Sequence, residues 1–483
     1  MNLRIIAKVT SVLILILDAF LLVCAGVAAY YLEWASMKDF ILTALVSGGV
    51  SILFLIALRN ERQKVISSRD GFLLVVFCWF AVSIVSSFPY FMSGGGFSIT
   101  DAFFESTSGL STTGATVLYD IEKLPKSLLL WRSLTHWLGG MGIVVLGVAI
   151  LPLLGIGGMQ LMKAEAPGPT VDKITPRITE TAKYLWYVYV FFTVAEIIML
   201  RFGGMDLFDS INHSLSTVAT GGFSTKNSSI KYYDSAYIDY VITFFMLMSG
   251  ISFPLHVRVL TGNFKGIVKN TELKAYLFIF ICATICITYS LHGSIYTSLK
   301  DSIRYASFQT ASILTTTGFS TSDYVYWTFF GQVIILIMMF IGGCSGSTAG
   351  GIKVIRIATL LKQGLTEMKF LVHPRGVFLL RINGSPVGKS IVYAISGFFF
   401  LYICTVLLIT VAIAGSGEDL LTSFTASLAS VGNIGPAFGN VGPNNNYGFL
   451  SDYVKWVLSV AMMAGRLELY TIFVLFTPYF WKK

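Results

Sequence analysis

Long apolar stretches separated by short polar connections run the length of the chain. Residues 12–29, 40–58, 72–92 and 391–414 carry hardly any charge. Each approaches or exceeds the ~20 residues a helix needs to cross a ~30 Å hydrocarbon layer. Shorter amphipathic segments of about a dozen residues lie between other long stretches, too short to span and suited to a half-helix that re-enters the membrane. They open on Asp101-Ala102-Phe103-Phe104-Glu105, Asp206-Leu207-Phe208-Asp209, Asp301-Ser302-Ile303-Arg304 and Glu418-Asp419-Leu420-Leu421. Acidic side chains at these starts suit the positive end of a helix dipole.

A polar phrase follows each short segment. It reads Ser111-Thr112-Thr113-Gly114-Ala115-Thr116, then Val218-Ala219-Thr220-Gly221-Gly222-Phe223-Ser224-Thr225, then Thr315-Thr316-Thr317-Gly318-Phe319-Ser320-Thr321. A looser copy is Gly432-Asn433-Ile434-Gly435-Pro436-Ala437. The key glycines are taken as Gly114, Gly221, Gly318 and Gly435. Internal repetition of this kind sets the architecture before any single motif does. The pattern predicts an all-α integral membrane protein. An N-terminal two-helix hairpin precedes four span/pore-helix/filter/span repeats, set pseudo-fourfold around a single pore. The expected boundaries are 1–60 for the hairpin, then 70–162, 180–262, 274–362 (with an intramembrane gating loop) and 389–483 for the repeats. Ten membrane segments and four re-entrant loops follow.

Composition removes the soluble alternative. Hydrophobic residues make up 55% of 483 and charged residues 12%, where soluble domains carry about 25% charged. The first apolar stretch contains Asp18 and lacks a small-residue cleavage site, so it reads as a retained helix and not a signal peptide. The six cysteines form no C-x-x-C pair and no zinc spacing, and read as small apolar core residues. The net charge of +9 does not indicate nucleic acid, because Lys and Arg concentrate in alternate loops: Arg59, Arg62, Lys64 and Arg69; Lys163, Lys173, Arg177 and Lys183; Arg258, Lys265, Lys269 and Lys274; then residues 353–389. That positive-inside bias places both termini in the cytoplasm. Asp101, Glu105, Asp120, Asp206, Asp209, Glu418 and Asp419 then face outward, where they would enrich cations.

A non-helical turn at membrane depth survives only when buried in protein or lining water. Four such turns can surround one axis, each at the negative end of its half-helix. Backbone carbonyls replace an ion's hydration shell when the chain visits φ > 0, which glycine permits. Close helix packing on small residues is the plainer use of Gly and Thr, but it does not explain four copies at matching positions. The candidate cation-binding residues are therefore Thr112, Thr113, Gly114, Ala219, Thr220, Gly221, Thr316, Thr317, Gly318, Asn433, Ile434 and Gly435, with the ion as substrate.

At these residues the chain resembles the Trk/Ktr/HKT superfamily of potassium transporters, and within it the TrkH family of membrane subunits. The resemblance also rests on residues 151–160, on Pro167-Gly168-Pro169 with Thr175-Pro176-Arg177, on residues 342–353, and on Gly465-Arg466-Leu467-Glu468. It implies potassium as the ion, since a glycine in all four filters goes with potassium preference and serine in the first with sodium. The family's fourth filter commonly reads N-x-G-P-G, and Ala437 replaces its last glycine here. A homodimer in the bacterial inner membrane is implied. So is a cytosolic ring of TrkA-type subunits that binds NAD and adenine nucleotides. No cofactor is expected on this chain, which has neither a P-loop nor a dinucleotide fingerprint.

The small and polar run of residues 342–351 interrupts an apolar span where glycine disfavours helix by about 1 kcal/mol per residue. The resemblance makes it an intramembrane loop across the pore, with Gly343, Cys344, Ser345, Gly346, Ser347, Thr348, Ala349 and Gly350 as gate residues. Arg466 lies inside the last span, where a charge faces protein or water. It is expected as an electrostatic gate element. At about 10 Å and an effective ε near 20 it would repel a passing ion by roughly 1.7 kcal/mol, which slows but does not seal. His136 and His256 read as hydrogen-bonded packing residues, and Asp18 and Glu196 as acids paired inside the bundle. A proton-coupled symporter is the alternative within transport. The alternative outside it is an intramembrane serine protease, from Gly343-Cys344-Ser345-Gly346 with His136 or His256 as base.

Overall fold

The computed structural model describes residues 3–59, 67–142, 178–260, 262 and 269–482. The features noted at residues 151–160, 167–169 and 175–177, and basic residues Arg62, Lys64, Lys163, Lys173, Arg177 and Lys265, lie outside them. Helices α1 (Leu3–Tyr30) and α2 (Trp34–Ala57) form the leading hairpin. It packs against α3 (Ser68–Met92) and α5 (Lys126–Trp137) of the first repeat.

Each repeat places a short helix between two apolar ones. The short helices are α4 (Ile99–Leu110), α7 (Leu207–Val218), α11 (Leu299–Leu314) and α15 (Leu420–Val431). Preceding them are α3, α6 (Ile178–Phe202), α10 (Thr271–Leu291) and α14 (Lys389–Ala414). With α1 and α2, these four are the six described helices long and apolar enough to cross a membrane. Ser98 and Asp419 cap α4 and α15 by accepting the amides of Asp101 and Thr422, both at 3.0 Å. Cys286 is exposed on α10 instead of packed in the core, while Cys24, Cys78 and Cys344 are buried.

After the short helix the second span is broken in the second, third and fourth repeats, where the sequence suggested an interruption only at residues 342–351. Helix α5 runs into a π turn over Leu138–Gly142. Helices α8 (Ala236–Ser249) and α9 (Phe253–Leu260) meet at 96°, and α16 (Asp452–Arg466) and α17 (Tyr470–Phe473) at 108°. In the third repeat α12 (Phe329–Met338) is only 10 residues long, and a loop leads to α13 (Val354–Val372).

The repeats close into a ring. Helix α5 packs on the short helix α7 of the next repeat, α8 on α11, and α16 on α4 of the first. Between the third and fourth repeats the loop takes the helix's place. A Cβ on Gly350 would lie 2.4 Å from the Gly432 carbonyl oxygen at the end of α15.

Candidate functional site

The short helices end alike. The amides of Thr113, Gly221, Thr317 and Ile434 donate to the carbonyls of Ser108, Ser216, Ser312 and Ala429 at 2.8–2.9 Å. The preceding amides of Thr112, Thr220, Thr316 and Asn433 donate to Gly109, Thr217, Ile313 and Ser430. This is the Schellman stop, whose left-handed residue is usually glycine. Here it is Thr112, Thr220, Thr316 and Asn433, with φ of 56°, 56°, 55° and 53°. A β-branched residue there costs about 1–2 kcal/mol, so the surrounding bonds must hold it. Thr316 Oγ1 accepts from the Gly350 amide at 2.7 Å, and Asn433 Nδ2 donates to Thr113 Oγ1 and to the Met462 carbonyl, each at 2.9 Å.

Two residues after each left-handed position stands a second one with positive φ: Gly114 (80°), Gly222 (80°), Gly318 (81°) and Gly435 (90°). In the second repeat the counterpart of Gly114 is therefore Gly222, and the assignment of Gly221 to that role is corrected. Gly221 occupies the position of Thr113, Thr317 and Ile434, and its missing side chain makes room for His136, 2.4 Å from where a Cβ would stand. By the same register Ala219 matches Ser111 and caps α7.

These glycines lock the repeats together. A Cβ on Gly114 would lie 2.1 Å from the Gly221 oxygen, and one on Gly222 would lie 2.0 Å from the Thr317 oxygen. One on Gly318 would lie 2.2 Å from the Ile434 oxygen, and one on Gly435 would lie 2.5 Å from the Thr113 oxygen. First repeat touches second, second third, third fourth, and fourth first. Glycine is required at each position by both φ and space. The four glycines also line one cavity of about 110 Å³, which Gly221 does not reach.

Behind the turns, polar side chains tie each short helix to the extended segment that follows. Buried Glu105 accepts from Thr116 Oγ1 (3.0 Å), the Val117 amide (3.1 Å) and Arg132 Nε (2.8 Å). Arg132 also donates to the Ser224 carbonyl at 3.1 Å and lies 4.0 Å from the Phe223 ring, joining the first two repeats. His213 bonds Ser224 Oγ (3.0 Å), Gln309 the Ser322 carbonyl (2.9 Å), and Thr425 the Phe438 carbonyl (3.0 Å). Glu105 is thus no free surface charge, contrary to expectation. Asp209 is likewise held by Thr225 (2.7 Å) and Tyr233 (2.6 Å), and Asp101 by Lys455 (2.7 Å).

Below the turns lies the loop. Its base is closed by the Gly342 amide on the Ile352 carbonyl at 2.9 Å, and the Cys344 amide donates to Gly250 at 2.8 Å. Thr348 Oγ1 reaches the Val218 carbonyl at 3.1 Å. Glu272 Oε1, from the first turn of α10, accepts the amides of Ser345 (2.6 Å) in the loop and of Ile355 (3.2 Å) in the first turn of α13. Gly343, Gly346, Ser347 and Ala349 lie on the same loop, with φ +76° at Gly346. Arg466 donates at 2.7 Å to the carbonyls of Thr348, Gly139 and Gly140. It is a bolt between the loop and the π turn. Glu468 pairs with Arg356 instead.

The protease constellation is not assembled. His136 bonds the Gly109 carbonyl at 2.7 Å and His256 the Met248 carbonyl at 2.9 Å, and no hydrogen bond among the described residues joins either to Ser345. Asp18 accepts from Ser47 at 2.6 Å. Glu196 is buried with the Thr217 side chain as its polar neighbour, and no charged partner pairs with it among the described residues.

Comparison with known proteins agrees with this arrangement. The TrkH family model, described as a cation transport protein, matches residues 35–483. The chain is 42% identical to the Trk system potassium uptake protein TrkH of Vibrio parahaemolyticus and 41% identical to that of Escherichia coli K12, with all of each chain covered. It is 38% identical to the Trk system potassium uptake protein TrkG of E. coli K12, over 86% of both chains. The crystal structure of the potassium transporter TrkH from V. parahaemolyticus superposes with a TM-score of 0.89 at 40% identity, covering both chains fully. On this footing the chain belongs to the TrkH family of cation transport proteins.

Proposed function

We propose that this chain is the potassium-translocating membrane subunit of a bacterial uptake system, working as a gated pore. The observation that carries the proposal is the closed ring of glycine-to-carbonyl contacts among the four turns. The relatives' names, potassium uptake proteins, supply the ion. A dehydrated cation would be held by backbone oxygens and hydroxyls of Thr112–Gly114, Thr220–Gly222, Thr316–Gly318 and Asn433–Gly435. Four helix C-termini add about −0.5 charge each. The Thr112 hydroxyl is buried and has no partner among the described residues, so it is available as an ion ligand.

Conduction stops below the filter. Residues 343–350 fill the position that a helix holds between other repeats, with Arg466 and Glu272 as latches. Opening requires the loop to leave Arg466, and the force would come from a cytosolic nucleotide-binding ring of the TrkA type acting on the basic face. The chain would work as an inner-membrane homodimer with both termini cytoplasmic, as its Lys and Arg distribution suggests. A bacterium lacking its own potassium uptake should regain growth at low potassium when it makes this chain with the ring subunit. Failure to grow with verified membrane insertion would refute the reading. Uptake that persists when the proton gradient is collapsed favours a channel over symport.

A further inference from the structure

The outer glycines of the filter are alike in φ and packing but not in what their carbonyls meet. Tyr447 Oη donates to the Gly435 carbonyl at 2.7 Å. The carbonyls of Gly114, Gly222 and Gly318 accept no hydrogen bond among the described residues. Tyr447 is 2% exposed, and its ring lies 5.7 Å from that of Phe104 on the first short helix. Its own amide donates to the Thr116 carbonyl at 2.8 Å, just past the first filter turn. One residue on, a Cβ on Gly448 would lie 2.6 Å from the Val117 oxygen, so this segment runs tight along the first repeat. Gly435 and Tyr447 line the same cavity as the other three glycines.

We infer that Tyr447 is a specificity-setting residue. Its hydroxyl fixes the outer carbonyl of the fourth filter turn and ties it to the first repeat, so the outermost ion position is held by an unequal set of oxygens at a fixed width. The inference rests on the potassium-pore reading above. A carbonyl oxygen has two lone pairs, so Gly435 remains a ligand, but a stiff one whose electron density is shared with a donor. Field strength and ligand freedom are the quantities that separate potassium from sodium in carbonyl filters. Released from the hydroxyl, the oxygen can follow a smaller ion inward, which favours sodium.

Tyr447→Phe removes the donor and keeps the ring and the amide bond to Thr116. In liposomes holding the purified full chain, the ratio of potassium to sodium flux should fall by about two- to tenfold, the span expected for one neutral hydrogen bond. Tyr324→Phe is the matched control, since Tyr324 is also buried and its hydroxyl has no partner among the described residues. It should leave the ratio as in the parent. A Tyr447→Phe protein with parental thermal stability and an unchanged ratio would overturn the assignment, as would an equal shift in both variants. Both ratios are also read on an Arg466→Ala background, where the latch is released, so absence of any potassium flux there counts against the pore reading itself.

Discussion

In the proposed gate Arg466 can hold the pore shut in two ways, and each has a magnitude. As a charge about 10 Å from the ion, at an effective ε near 20, it contributes roughly 1.7 kcal/mol of repulsion, about 18-fold in rate. As a latch it contributes the bond from Nη1 to the Thr348 carbonyl of the loop at 2.7 Å, beside its bonds to the Gly139 and Gly140 carbonyls of the π turn. A hydrogen bond from a charged group holds about 1.5–3 kcal/mol, or about 10- to 150-fold in the open-to-closed ratio. Arg466→Ala removes both contributions and should raise flux most. Arg466→Lys keeps the charge, but an ammonium cannot fork to carbonyls on two elements, so it should still raise flux about tenfold or more. The assay is rubidium entry into liposomes, with thermal unfolding to confirm that each variant is folded. Parental flux in the lysine variant would assign closure to electrostatics alone. Parental or lower flux in both folded variants would refute the gate.

Gly222→Ala should abolish flux without relief, because its Cβ would meet the Thr317 backbone oxygen at 2.0 Å. Gly221→Ala meets the His136 ring instead, so adding His136→Ala should restore it; equal behaviour of the two glycines in flux assays would return the register to question. Glu272→Ala leaves the amides of Ser345 and Ile355 without their carboxylate and should raise rubidium flux, while Glu272→Gln keeps an acceptor oxygen and should stay closer to the parent. Glu105→Ala strands buried Arg132 and should cost about 3–5 kcal/mol in unfolding measurements; a loss under 1 kcal/mol would mean water reaches the pair.

Much of the fold was legible because the bilayer demands long apolar helices, and a fourfold phrase is hard to produce by chance. The register of the second turn was not. Val218-Ala219-Thr220-Gly221-Gly222 offers two adjacent glycines, and only the backbone angles say which matches Gly114. Aligning Thr220 with Thr112 and Thr316 would have found it, had the left-handed threonines been foreseen. Nothing local marks a threonine as left-handed, since the bonds that hold Thr316 and Asn433 come from Gly350 and Met462, far along the chain. The latches were invisible for another reason. Glu272 and Ser345, or Glu105 and Arg132, meet through tertiary packing, and no local spacing encodes such pairs. The breaks in α8–α9 and α16–α17 carry a weak local sign, Gly250 with Ser252 in one and Gly465 with Glu468 in the other. Long runs of apolar neighbours obscured it.

The central claim is that four unequal turns make one potassium pathway. Its most direct test is ion flux through the purified chain and its latch-released Arg466→Ala variant in liposomes, with potassium, rubidium or sodium as the only permeant cation and the proton gradient held at zero. The account predicts potassium and rubidium entry exceeding sodium entry, with flux lost in Gly114→Ser, whose Cβ would meet the Gly221 backbone oxygen at 2.1 Å. Flux that needs a proton gradient, or sodium entry equal to potassium in the parent protein, would contradict it.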